Sequence, residues 1–183
     1  MPSASWRKEK FEAAARNPLS PGNLALGALC LAAFISLALG TSVYVLDRAP
    51  GAIRLLPMHW TGVASGTSGF FGSVGDSLPS FAHAFAFSIL SGLWLELQGR
   101  LLACASWATA GSAFEFGQHE AVAPALAALL HGPLDWLPGA AAVAAYFSRG
   151  TYDALDVLLT CAGAVTAAIA LTAASRAYSS ATR

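Results

Sequence analysis

From Asn23 to Leu46 the chain runs for about 24 residues without a charged side chain, and at 1.5 Å per helical residue that length crosses the roughly 30 Å hydrocarbon core of a bilayer. Ser20 and Pro21 stand just ahead of the run, one suited to cap a helix and the other to occupy its first turn. The pattern predicts a membrane span over 23–46. Composition agrees: 56% of residues are hydrophobic and 11% charged, against roughly 25% charged in ordinary soluble domains. The formal net charge is zero, so there is no general attraction to nucleic acid, and none is expected as a partner.

Arg7, Lys8, Lys10 and Arg16 precede the first apolar run. The positive-inside tendency therefore makes residues 1–19 a cytoplasmic basic segment. A cleaved signal peptide is the competing reading, but the apolar run is too long for a signal core and no clean small-x-small site follows it.

Residues 20–175 read as a single membrane domain, an all-α, polytopic four-transmembrane-helix bundle. Its further spans are expected at about 80–97, 101–118 and 154–174, with a cytoplasmic tail at 176–183. Gln98-Gly99-Arg100 reads as a tight cytoplasmic turn. Arg48 to Ser80, rich in Gly, Ser, Thr and Pro, reads as an extramembrane loop whose Trp60, Phe70 and Phe71 suit the headgroup level. Ala121 to Phe147 is apolar but broken by Pro124, Pro133 and Pro138. Proline removes a backbone donor that lipid cannot replace, so two short interfacial or re-entrant helices are expected there between spans three and four. Cys30, Cys104 and Cys161 fall inside expected spans and have no metal-ligand spacing.

Polar residues collect where the spans begin or end on one side. His83 lies near the start of span two, Glu115 and Gln118 close span three at i, i+3, and Asp153 and Asp156 open span four at the same spacing. A charge within a membrane helix costs at least a few kcal/mol, so the aspartates need a reason. Their face continues through Thr160 and Gly163, polar at its head and small beyond, as a helix presents to other helices. With the amino terminus inside, the whole set lies near the outer face.

His83 with Phe87, then Phe114-Glu115-Phe116-Gly117-Gln118, then Arg149-x-x-x-Asp153-x-x-Asp156-x-x-x-Thr160-x-x-Gly163 resembles the VanZ-like membrane proteins over about Ser77 to Thr172. Asp76 and His83 are spaced more widely than the first block of that family, and Thr160 stands where the family usually has Asn. The resemblance implies a multi-pass protein of the bacterial inner membrane and cell envelope, linked to glycopeptide resistance of the teicoplanin type.

Several roles fit these residues. His83, Glu115, Asp153 and Asp156 are the catalytic candidates for a membrane-embedded hydrolase or transferase, since crowded carboxylates have their proton affinities driven apart. The same four are competent metal ligands, although no close ligand pair such as H-x-x-x-H supports a metal site, and no cofactor is expected. A structural clamp would pair Arg149 with Asp153 or Glu115 and bond Gln118 to Thr160 or His83. A binding site for a small envelope ligand would use the same residues. The expected partners are membrane lipid and a glycopeptide, a lipid-linked precursor or other membrane proteins, the last in a structural subunit of a larger complex. His59 and His131 read as surface residues, Glu96 and Arg100 as an i, i+4 surface pair, and Gly163-x-x-x-Ala167 as a close-approach stripe of undefined partner.

Overall fold

The computed structural model describes residues 21–47 and 70–181. Over these it is all-helical: α1 (Pro21–Asp47), α2 (Gly72–Gly92), α3 (Leu97–Gly117), α4 (Ala123–His131), α5 (Ala140–Arg149) and α6 (Ala154–Ala181). Two of the helices are long and apolar enough to cross a membrane, with mean hydropathy reaching 2.2 in Gly22–Asp47 and 2.0 in Ala154–Ala177. Only 11% and 28% of those apolar windows are buried among the described residues.

The four long helices pack around a central pair. α2 and α6 touch each other most extensively, α1 lies against both, and α3 lies against both from elsewhere, while α1 and α3 scarcely meet. Contacts fix the directions. Gly163 sits on Phe81, Ala84 and Phe85, and Leu171 sits on Gly92, so α2 and α6 run parallel. Gly40 meets Ala82 and Gly111 meets Thr160, so α1 and α3 run opposite to that pair.

Small residues make this packing possible. A Cβ on Gly163 would stand 2.5 Å from the Phe81 carbonyl oxygen and 3.1 Å from the Phe85 nitrogen, so only glycine lets α6 rest on the backbone of α2. That contact gives the glycine stripe of α6 its partner. The core around it is Ala33, Ala86, Ile89, Leu93, Cys104, Ala164, Ala167 and Leu171, mostly small side chains that hold helices together by close van der Waals contact.

Asp47, the last residue of α1, joins it to the start of α2. Its two carboxylate oxygens accept the backbone N–H groups of Phe70 at 2.6 Å and Phe71 at 2.9 Å. Phe71 is the N-cap of α2, so Asp47 supplies from a distance the negative group that a helix N-terminus favours. Phe70 and Phe71 pack edge to face at 5.1 Å. The expected loop therefore ends early: α2 begins at Gly72 rather than near Ser80, with Pro79 inside it. Trp60 and His59 lie outside the described residues, as does Ser20.

The turn between α2 and α3 is also displaced. It falls at 93–96, and Gln98, Gly99 and Arg100 form the first turn of α3. Glu96 is its extended N-cap. Arg100 does not face Glu96; it donates from Nε to the Leu95 carbonyl at 2.8 Å and from one amino group to the Leu171 carbonyl at 3.2 Å and Ser175 Oγ at 2.7 Å. α6 continues to Ala181, past the expected end at 174.

Between α3 and α6 the proline-broken segment forms two short helices, α4 and α5, packed on each other. Pro124 stands at the start of α4, and Gly139, in the left-handed region at φ 84°, is the N-cap of α5. The segment leaves from the end of the bundle where α3 stops and returns to that end where α6 begins.

Candidate functional site

At that end Phe114, Gly117 and Gln118 of the F-E-F-G-Q block receive α5, and Phe116 meets the segment that follows it. Phe114 packs edge-on against Tyr146 at 5.9 Å and stacks on Phe147 at 5.7 Å. Gly117 leaves the space that Phe147 fills, since a Cβ there would collide with the ring. Phe116 stacks on Tyr152 at 5.5 Å, and His119 tilts against the same ring at 5.3 Å. Gln118 donates its amide N–H to the Tyr146 hydroxyl at 2.8 Å, while its carbonyl oxygen occupies the space beside Gly150 that any side chain would need.

Tyr146 is the point where the polar groups converge. Tyr146 is 45% exposed, and the partial shielding of its ring raises the hydroxyl above the ordinary tyrosine pKa; Glu115, Tyr44 and Asp156 each raise it further, with the Gln118 hydrogen bond pulling the other way. Residues from α1, α3 and α6 thus act electrostatically on one phenol carried by α5. Asp156 is half-buried, and its Oδ1 is fully enclosed with no hydrogen-bond partner among the described residues. A buried, unmet carboxylate oxygen is a costly arrangement that a cation, a donor or a proton relieves.

His83 borders the cluster through aromatic contacts. Its half-buried ring stacks on Phe87 at 5.7 Å and tilts against Tyr44 at 6.3 Å. Asp153 is exposed and accepts the Leu155 N–H at 2.8 Å, which caps the start of α6. Arg149 is exposed in the last turn of α5. Thr160 is buried with its methyl group over Gly111. Of the residues singled out by sequence, Gln118 is thus bonded to Tyr146, and Glu115 and Asp156 act on it electrostatically. His83 is linked through Tyr44, Asp153 serves the helix end, Arg149 points outward and Thr160 packs between α3 and α6. Gln118 bonds Tyr146 and not Thr160 or His83, a correction to the clamp pairing. Among the described residues no three His, Cys, Asp or Glu side chains converge so as to hold a metal ion.

Tyr146, Tyr44 and Gly150 were not singled out from sequence. Tyr44 lies one turn before Asp47 inside an apolar run, and Tyr146 lies three residues before Arg149 on the same helix. In an apolar segment a tyrosine close to a charged helix end is the available signal, since its hydroxyl must find a partner when buried.

No family model, no curated protein and no solved structure matches the chain.

Proposed function

We propose that the chain is a VanZ-like four-span protein of the bacterial inner membrane, with α1, α2, α3 and α6 crossing the bilayer and the Tyr146 cluster near the outer face. Its role is that of an accessory protein that binds an envelope ligand, within glycopeptide resistance or the handling of lipid-linked precursors. Supporting the membrane reading, Leu31, Phe34, Leu158, Val165 and Ile169 are each more than half exposed on α1 and α6, an apolar belt that water would not tolerate. The alternation of helix directions agrees with four crossings. The basic amino-terminal residues and Arg100 then lie on the cytoplasmic side.

The ligand reading rests on one observation: Asp156 presents an enclosed, unmet oxygen beside Tyr146 and within electrostatic reach of the group that Glu115 also influences. Carboxylates with aromatic rings nearby favour the protonated amine of a ligand. The test is expression in a glycopeptide-susceptible bacterium, comparing wild type with Asp156→Asn, Glu115→Gln and His83→Gln at matched membrane abundance. Wild type is expected to raise teicoplanin tolerance, and the Asp156 and Glu115 variants to lose that gain. Variants that keep the full gain, or a wild type that confers none, would refute the role. Orientation is checked separately in a cysteine-free background. Ser148→Cys is expected to react with an impermeant thiol reagent from outside, and Gln98→Cys is not.

A further inference from the structure

The opposite end of the bundle has a different chemistry. Where α1 begins and α6 approaches its end, a cavity of about 220 Å³ opens between Asn23, Leu26, Leu29, Leu93, Arg100 and Ser175. Arg100 is half-buried there, and its three hydrogen bonds all go to neutral acceptors. They hold the guanidinium in a fixed orientation while leaving its second amino group without a partner among the described residues. Glu96, the described carboxylate at this end, is exposed and forms no ion pair with it. A partly buried positive charge with no counter-charge is unfavourable, the more so against apolar walls.

We propose that this cavity holds the phosphate headgroup of an anionic phospholipid. The N–H donors left on the second amino group can meet phosphate oxygens in charge-assisted hydrogen bonds, and the walls supplied by Leu26, Leu29 and Leu93 suit the first carbons of an acyl chain. Net charge at this end selects the anionic class. Arg100 and Arg176, the latter exposed next to Ser175, outnumber Glu96 among the described residues here, and the sequence before α1 carries Arg7, Lys8, Lys10 and Arg16 against Glu9 and Glu12. Basic pockets between membrane helices on the cytoplasmic side are the usual setting for such headgroups. The site is separate from the Tyr146 cluster and needs only that α1 and α6 lie in lipid.

The full chain, purified in neutral detergent and stripped of lipid, is titrated with phosphatidylglycerol, phosphatidylcholine or sodium phosphate while its Tm is followed. Phosphatidylglycerol is expected to raise Tm saturably, and the other two are not. The shift should vanish in Arg100→Gln and persist in Arg176→Gln. Ala174→Leu fills the cavity while keeping Arg100 and its hydrogen bonds, so its loss of the shift reads the cavity without disturbing the arginine. Equal shifts with phosphatidylcholine, or a full shift in Arg100→Gln or Ala174→Leu, overturn the proposal. A matching shift with sodium phosphate makes it a free-anion site and overturns the lipid assignment. A phosphatidylglycerol shift seen only in a Glu9→Gln, Glu12→Gln double variant means the chain's own carboxylates occupy the cavity, and also overturns it.

Discussion

The two ends of the helix bundle solve the problem of polarity next to apolar helices in opposite ways. At one end a short helical hairpin packs its aromatic rings on the end of α3, and its phenol accepts a hydrogen bond from the Gln118 amide. At the other, one arginine ties the α2–α3 turn to α6, and no helix folds over it among the described residues. The first end carries a carboxylate oxygen, and the second a guanidinium amino group beside a cavity, that no partner among the described residues meets. Among the described residues the two ends thus differ in the sign of the group left without a partner, a carboxylate oxygen at one and a guanidinium nitrogen at the other.

The contact that both ends share gives the largest expected effect. Gly163→Leu puts a side chain into the α2 backbone and should cost about 3 kcal/mol or more, the upper range for overpacking, so both ends should lose protection together in hydrogen exchange. Gly117→Leu tests whether the ends are separable. It evicts Phe147 and should destabilise by about 1–3 kcal/mol, opening 132–139 to limited proteolysis while the segment around Arg100 stays protected. If both ends loosen equally, the comparison fails.

Smaller changes sharpen it. Gln118→Leu removes the hydrogen bond to Tyr146 and should cost about 1 kcal/mol, visible as a lower Tm with the amino-terminal half of α3 unaffected in exchange. The smallest effect concerns pH. Because the Tyr146 hydroxyl has a raised pKa in the folded chain, the native state holds its proton longer than the unfolded state. Stability from this source is complete below the ordinary value of 10.0 and declines as pH rises through the higher native value. Tyr146→Phe should remove that alkaline decline, measured as the difference in Tm between neutral and strongly alkaline buffer.

α1 and the body of α6 were legible because an uncharged apolar run of that length has few other fates. The two short helices between Pro124 and Arg149 were legible from proline spacing. The start of α2 was not, because its cap is Asp47, more than twenty residues away in sequence, and local composition there favours a loop. The α2–α3 turn was misplaced for a related reason: Gln98-Gly99-Arg100 looks like a turn by composition, yet Arg100 finds its acceptors on α6, which keeps those residues helical. In the candidate site, spacing brought out Glu115, Gln118 and Asp156 but not Tyr146, whose role depends on how α5 folds back, a tertiary fact that no local pattern encodes.

The parallel seam between α2 and α6 has a consequence for biogenesis. Gly163 meets residues that were synthesised some eighty positions earlier, and contacts this distant in sequence form late. As the chain leaves the ribosome, α2 waits with its small-residue face open until α6 arrives. A nascent chain stalled before Gly163 is thus an unfinished assembly, exposed to proteolysis and to mispairing with a second copy for as long as the delay lasts.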